Sequence, residues 1–163
     1  MSRFRTESVA TVPTAVQPIS NVGGDIAIGG VVHQICYMSR AILPDEEVIR
    51  SIITVAQTLN RADGITGLLL SDGTRYLQAI EGPERALRAC FTRIRHDTRH
   101  YDIVTVSDAA IEQRQFGDWS MRHRHRQMAG GNDDFRRNVM NDVAAVTDMQ
   151  LKAMFIGFAA LSR

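Results

Sequence analysis

The sequence has few cysteines, no excess of one charge and no long apolar run, and each absence excludes a class of protein. Its two cysteines, Cys36 and Cys90, form no Cys-x-x-Cys pair, so neither a disulfide framework nor a structural zinc site is indicated, and a reducing compartment is expected. The 19 Lys and Arg residues nearly balance the 18 Asp and Glu residues, which argues against direct binding to nucleic acid or to a membrane surface. No apolar run approaches the roughly 18 residues of a membrane span, and no signal peptide is indicated, so we expect a cytoplasmic protein.

Sequence signatures of common enzymes are also missing. There is no Gly-rich loop of the Rossmann or P-loop type, no Gly-x-Ser-x-Gly and no His-Glu-x-x-His. Histidine and arginine alternate at residues 122–126, but cations beside imidazoles oppose metal binding. Without an interleaved aromatic residue, this stretch is predicted to be a solvated connector rather than a phosphate site.

The chain has 163 residues, which is long enough for one domain with extensions. Residues 1–30 show no helical or strand period and end in paired glycines, so we predict a flexible N-terminal extension. The domain is expected over residues 31–126, and a helical extension over residues 127–163.

The periodicity within the domain predicts a ferredoxin-like α+β fold. Strands are predicted at residues 31–39, 65–70, 74–81, 101–106 and 109–112, and helices at 43–59 and 82–97. This βαββαββ order gives a mixed sheet, and right-handed crossovers place both helices on one of its faces. The opposite face needs cover, since Leu68, Leu70 and Leu77 would be exposed on it. Helices predicted at 133–146 and 147–161 can supply that cover through an apolar stripe at Leu151, Met154, Phe155, Phe158 and Leu161.

Polar side chains are predicted on the sheet face that the first two helices cover. Strand alternation points Tyr37 and Gln78 into this core from different strands. Each buried polar group left without a partner costs about 1–3 kcal/mol. These two side chains could satisfy each other, but Asn60, Arg99 and His100 converge on the same edge, so a planar ligand with polar edges is the favoured interpretation.

Several separated motifs make the sequence similar to the BLUF family. Asn60 precedes one of these motifs, and the motifs follow the family's order and spacing over residues 32–121: YMSRA at 37–41, GITGLL at 64–69, YLQAIEGP at 76–83, DTRH at 97–100, RQF at 114–116 and WSM at 119–121. The resemblance implies a blue-light sensor that binds a flavin, usually FAD, without a covalent bond, between the two helices and against the sheet.

The resemblance also implies roles for the residues of the site. Tyr37 matches the family's redox-active tyrosine, and Gln78 matches the glutamine between that phenol and the flavin N5 and O4 edge. A phenol can give an electron and then a proton, and a carboxamide can change its hydrogen bonds by rotation or tautomerisation. Asn60 matches the amide at the opposite, pyrimidine edge of the ring.

Four further positions carry over from the family. Arg99 and His100 match its flavin-contacting Arg-His pair, while Trp119 and Met121 match residues that exchange places near the glutamine during signalling. Tyr76 departs from the pattern, because phenylalanine is common there. This second phenol is either a competing electron donor or a packing residue, and packing is favoured.

The sequence therefore predicts a short photoreceptor without enzymatic activity and without a metal. Its C-terminal helices would signal to a separate partner, such as a cyclic-di-GMP phosphodiesterase or a transcriptional regulator, and a homo-oligomer is expected. A flavin-dependent oxidoreductase or a small hydrolase is one alternative, but no substrate base or nucleophile is found for it. A light-insensitive adaptor that no longer binds flavin is the other.

Overall fold

The computed structural model describes residues 31–42, 46–126 and 132–162. The strands are β1 (Val32–Ala41), β2 (Thr66–Ser71), β3 (Arg75–Pro83), β4 (His100–Ile111) and β5 (Arg122–His125), and the helices are α1 (Glu46–Ala62), α2 (Glu84–Arg95), α3 (Asn132–Asp142) and α4 (Met149–Leu161). The predicted N-terminal extension lies outside the described residues. Within them, no helix combines the length and apolar character needed to cross a bilayer.

The five strands form one sheet in the order β4-β1-β3-β2-β5. Strands β1 to β4 pair antiparallel, and β5 joins the edge of the sheet parallel to β2. This confirms the ferredoxin-like α+β fold. The hairpin between β2 and β3 forms at the predicted turn, where the Asp72 carboxylate accepts hydrogen bonds from the backbone N–H groups of Thr74 and Arg75 and Gly73 adopts a φ of 92°.

Two predictions were wrong at the C-terminal end of the domain, one for strands and one for a connector. The two short strands predicted at 101–106 and 109–112 are one strand, β4, which follows β1 through two register shifts. The stretch 122–126, predicted as a solvated connector, contains β5. Its backbone pairs with β2 from Leu68 to Ser71, so the backbone ladder stabilises a strand whose side chains are hydrophilic.

The front face of the sheet carries the odd-numbered side chains of β1 and is covered by α1 and α2. A continuous apolar cluster fills the space between these layers: Ile35, Ile49, Ile65, Leu69, Tyr76, Ile80, Leu87, Cys90 and Met121. Helix α1 extends three residues beyond the predicted end, so Asn60 lies inside the helix. On the same helix, Val55 and Leu59 are exposed.

The back face carries Cys36 and the even-numbered side chains of β2, and α3 and α4 cover it. Leu68, Leu70 and Leu77 are buried there against Leu151, Phe155 and Phe158. This confirms that the C-terminal helices cover the face opposite α1 and α2. The apolar stripe predicted on α4 is wrong at its last residue, because Leu161 is 71% exposed and does not cover the sheet.

Candidate functional site

An apolar cleft opens between α1 and α2 above the front face. Its volume of about 320 Å³ lies at the lower end of the roughly 300–1,000 Å³ typical of ligand sites. The cleft walls are mainly aliphatic, and a few polar groups converge on the floor and one edge. The residues that line the cleft are Tyr37, Ile49, Ile52, Ile53, Val55, Ala56, Leu59, Asn60, Leu69, Tyr76, Gln78, Cys90, Arg93, Ile94, Asp97, Arg99, His100 and Met121.

Tyr37 and Gln78 form the polar centre of the cleft floor. They are direct partners in the antiparallel register of β1 and β3, so both side chains stand on the front face. The Tyr37 hydroxyl donates a hydrogen bond to the Gln78 side-chain oxygen, Oε1. Burial raises the pKa of Tyr37 far above its usual value, and the neighbouring Cys90 and Asp97 add to this effect. The phenol therefore remains protonated and acts as a donor.

The amide nitrogen of Gln78 contacts Met121 on the other side. Gln78 Nε2 lies 3.2 Å from the Met121 thioether sulfur, a weak acceptor. Because the phenol hydrogen bond requires Oε1 to point towards Tyr37, the Nε2 group is directed to Met121. A change in the hydrogen bonding of this carboxamide alters both contacts together.

Asn60 lies at the C-terminal end of α1 and is almost fully buried. Its Nδ2 group donates a 2.8 Å hydrogen bond to the backbone carbonyl of Ser120, and the Cys90 thiol lies 3.6 Å from its Oδ1 atom. A carboxamide has two N–H donors and two acceptor lone pairs. One donor and one acceptor site therefore remain for a ligand in the cleft.

Arg99 and His100 lie where α2 gives way to β4, at the edge of the cleft. The Arg99 guanidinium binds the Asp97 carboxylate at 2.5–3.1 Å, and this hydrogen bonding lowers the pKa of Asp97. His100 Nε2 donates to the Ile94 carbonyl at 2.8 Å, and its Nδ1 lies 2.8 Å from the Ser39 hydroxyl. The protein thus fixes the orientation of both side chains at the cleft.

Trp119 and Met121 occupy opposite sides of the sheet. Met121 is buried in the front cluster, whereas Trp119 packs against the back cluster and is not among the cleft residues. Backbone contacts hold this segment: Gly67 N–H donates to the Trp119 carbonyl at 2.9 Å, and Gln57 Nε2 to the Met121 carbonyl at 2.9 Å. A Cβ at Gly67 would lie 2.5 Å from the Ala79 carbonyl oxygen, so this position of β2, beside β3, requires glycine.

A second phenol lines the cleft beside Gln78. Tyr76 is buried, and its ring meets that of His100 edge to face, with 6.4 Å between the ring centroids. Burial raises its pKa, so it too is protonated. Its contact with His100 agrees with the packing role favoured by the sequence.

The sequence analysis missed Glu81 and Gln115, which hold the segment leading to Trp119. Glu81 is fully buried on the back face, where its carboxylate accepts hydrogen bonds from the backbone N–H groups of Gln115 and Phe116 at 2.9–3.0 Å. The Gln115 side chain in turn accepts from the backbone N–H groups of Thr147 and Asp148. A charged residue at a buried position of the β3 alternation was the signal that could have identified Glu81.

The cleft suits an isoalloxazine ring on chemical grounds. Its aliphatic walls can cover the ring faces, and the free donor and acceptor sites of Asn60 and Gln78 match a ring edge that carries carbonyl and imino groups. Arg93 and Arg99 at the rim are paired with Asp63 and Asp97, and their remaining N–H groups can donate to a phosphate. These groups can bind the ring, orient it against Tyr37 and limit the access of water.

A comparison with protein families matches residues 32–122 to the model "BLUF: Sensors of blue-light using FAD". Among curated relatives, the photoactivated adenylate cyclase subunit beta of Euglena gracilis is 28% identical over 115 residues, which cover 69% of this chain and 13% of that protein. The blue light- and temperature-regulated antirepressor BluF of Escherichia coli is 32% identical over 81 residues, 48% of this chain and 20% of that protein. The chain thus spans a small part of these relatives.

Solved structures give the same relationship over more of the chain. The dark-state structure of the BLUF protein BlrB is 29% identical, with a TM-score of 0.63, and the match covers 80% of this chain and 97% of that one. BlrP1 of Klebsiella pneumoniae with FMN and cyclic diGMP is 25% identical, with a TM-score of 0.62 and coverage of 80% and 35%. The family match spans more than half of the chain and includes every polar residue of the cleft, so the chain belongs to the BLUF family of blue-light sensors that use FAD.

Proposed function

We propose that Tyr37 and Gln78 carry the photochemistry of this sensor. Bound in the cleft, FAD would supply the light absorption and the electron acceptor. Tyr37 would give an electron and then its hydroxyl proton to the flavin, and both would return to Tyr37 as the dark state recovers. Gln78 rotates or tautomerises in response, which changes its hydrogen bonds to Tyr37 and to Met121.

The observation that carries this proposal is the pair of contacts at the Gln78 carboxamide. Its oxygen accepts from a buried phenol and its nitrogen faces a thioether at 3.2 Å. Rotation of this amide would exchange a donor for an acceptor at both positions without breaking a covalent bond. Tyr37, the proposed electron donor, is hydrogen-bonded directly to Gln78, the proposed switch, and both line the cleft.

The remaining cleft residues bind and orient the ring in this proposal. Asn60 holds the pyrimidine edge with its free donor and acceptor, and Arg99 and His100 contact the ring from the opposite edge of the cleft. Met121 lines the cleft and contacts the amide nitrogen of Gln78. Trp119 lies on the back of the sheet, so its role is in the response of the protein rather than in direct contact with the flavin.

The output of this sensor passes to a separate effector. The C-terminal helices cover the back face, and the segment that contains Trp119 and Met121 adjoins both the cleft and these helices. The relatives named above include an antirepressor, and a structural neighbour was solved with cyclic diGMP. A cyclic-di-GMP phosphodiesterase or a transcriptional regulator is therefore the proposed partner of a cytoplasmic, homo-oligomeric chain that has no enzymatic activity of its own.

Absorption spectroscopy of the purified protein tests the proposed function. Protein loaded with FAD should show a small red shift of the flavin bands under blue light and should recover fully in the dark. Rapid flavin reduction by a reduced nicotinamide would instead support an oxidoreductase. Protein that stays colourless after incubation with FAD would support the light-insensitive adaptor.

A further inference from the structure

A buried carboxylate joins α3 to the edge strand β5. Asp142 ends α3, and its side chain is only 3% exposed. Arg122 Nη1 lies 2.7 Å from Asp142 Oδ1, and Arg124 contacts both carboxylate oxygens, at 2.5 Å through Nε and 3.0 Å through Nη2. One carboxylate of the helix thus binds two consecutive back-face residues of the strand.

The geometry makes this contact specific. Arg124 uses two adjacent nitrogens in the planar arrangement that lysine cannot reproduce. Burial of Asp142 makes the loss of either guanidinium unfavourable, because the carboxylate would remain out of water without full compensation. The docked position of α3 therefore depends on where β5 places its arginines.

Arg122 also contacts the segment that adjoins the cleft. Its guanidinium carbon lies 3.9 Å from the centre of the Trp119 ring, a cation–π contact. Trp119 and Arg122 flank Met121, which meets Gln78 on the other side of the sheet. Met121 is two residues from Trp119 and one from Arg122, so a displacement of Met121 reaches both members of this stacked pair, and Arg122 is hydrogen-bonded to Asp142.

We propose that Asp142 is the positioning residue that couples the cleft to the C-terminal helices, through the contact between Arg122 and Trp119. In the dark state, Met121 lies against Gln78 and the pair of Arg122 with Asp142 holds α3 on β5. A change at Gln78 displaces Met121 and Trp119, moves the Arg122 guanidinium and loosens α3 together with α4. This inference rests on the proposed light response at Gln78 and identifies the route by which that response leaves the cleft.

The two C-terminal helices respond together in this proposal because they are joined to each other. Arg136 on α3 donates a 2.7 Å hydrogen bond to the Ala160 carbonyl of α4, and Lys152 on α4 donates to the Ala144 carbonyl at 2.9 Å. The contact of Gln115 with Thr147 and Asp148 holds the start of α4 separately. Loss of the Asp142 contact would therefore loosen α3 and, through these bonds, the later turns of α4, while the N-terminal end of α4 stays attached.

Hydrogen exchange in the dark and under blue light tests this proposal with Asp142→Asn. The asparagine keeps the size of the side chain and removes its charge. Asp134→Asn is the matched control, since Asp134 lies on the same helix in an exposed pair with Arg137. In the parent and in the control, amide exchange in residues 135–142 and 151–161 should quicken at least about fivefold under light, a typical coupling between sites. In Asp142→Asn, amide exchange in these residues should already be fast in the dark, and light should change its rate less than twofold.

Arg122→Lys gives a second test that keeps a positive charge at this position, while Arg124 keeps its two contacts with Asp142. Lysine loses the planar stack on Trp119, and the light-dependent difference should again fall below twofold while the dark exchange stays slow. The red shift should persist in both variants, because neither residue lines the cleft.

The possible outcomes separate the two proposals. A parent without a red shift would contradict the proposed function and this inference with it. A parent with a red shift but equal exchange in dark and light would overturn the coupling alone. An undiminished light-dependent difference in Asp142→Asn, or in Arg122→Lys if the first variant fails to fold, would also overturn it, because a merely structural contact leaves that difference unchanged.

Discussion

The side chain of Asn60 donates a 2.8 Å hydrogen bond to the backbone carbonyl of Ser120, so a residue of the cleft also holds the segment next to Met121. The contact explains how α1 can take part in both cofactor binding and signalling. Asn60 lies one helical turn beyond Ala56 on the same side of α1, which faces the cleft. In the proposed function, the remaining donor and acceptor of the same carboxamide bind the pyrimidine edge of FAD.

Asn60→Ala should weaken FAD binding by about tenfold or more, because a hydrogen-bonding partner of the ring is lost. Titration of FAD-free protein with FAD, followed by fluorescence quenching, measures the dissociation constant. Asn138→Ala on the exposed side of α3 is the control and should bind as the parent does. Unchanged affinity in Asn60→Ala would show that the amide does not contact the flavin.

Phe155→Ala should lower the free energy of unfolding by about 3–5 kcal/mol. Phe155 is fully buried and meets Phe116 edge to face at 6.1 Å between ring centroids, so the truncation leaves a cavity under α4. Ile156→Ala, one residue further on and 36% exposed, should cost about 1 kcal/mol or less. Unfolding in urea measures the free energy of unfolding of both variants. Equal decreases in the two would mean that α4 does not dock through Phe155.

Acid should destabilise the protein through His123. Burial lowers the pKa of His123 to about 4, and the neighbouring His125 and Arg124 add to the effect; its Nε2 atom is buried without a hydrogen-bond partner. In the unfolded chain, His123 takes up a proton near pH 6.5. Its contribution to the free energy of unfolding is therefore fully present above pH 6.5. It decreases by up to about 3 kcal/mol as the pH falls from 6.5 to 4.

A substitution isolates this contribution. His123→Leu should flatten the decline in stability between pH 6.5 and 4, whereas His96→Gln, at the exposed end of α2, should retain it. Unfolding midpoints in urea measured across this pH range provide the test. An equally steep decline in His123→Leu would assign the acid sensitivity to other groups.

The two cysteines should differ in their reactivity once FAD is removed. Burial raises the pKa of Cys36 to about 12 and also raises that of Cys90, so both thiols should react slowly in FAD-loaded protein. Cys90 lines the cleft and Cys36 lies beneath the C-terminal helices. Removing FAD should speed the alkylation of Cys90 about tenfold or more and leave Cys36 unchanged. Mass spectrometry identifies the labelled site, and faster labelling of Cys36 would contradict this placement.

That Tyr37 and Gln78 point to the same face of the sheet was predictable because strand alternation has a fixed period. The cover of the back face was predictable as well, because Leu68 and Leu70 required apolar partners. Both inferences depend on local patterns that survive in the folded chain. The β5 strand was missed because its local composition is that of a solvated loop.

What stabilises β5 comes from distant parts of the sequence. Its backbone pairs with β2, and its arginines meet Asp142, some twenty residues further along the chain. No local period encodes such contacts. The side of the sheet on which Trp119 and Met121 each lie depends on the same strand and was equally inaccessible from the sequence. Leu161 fits the helical stripe of α4 but lies past the edge of the covered face.

The light-minus-dark absorption spectrum of Tyr37→Phe, compared with that of the parent, tests the central claim most directly. The substitution removes the hydroxyl that donates to Gln78 and keeps the ring, so the protein should still fold and bind FAD. Tyr76→Phe is the matched control, as a second buried phenol in the same cleft. The parent and Tyr76→Phe should show a reversible red shift, and Tyr37→Phe and Gln78→Leu should show none. A normal red shift in Tyr37→Phe would contradict the account and assign the electron donor to another residue, with Tyr76 the first to examine.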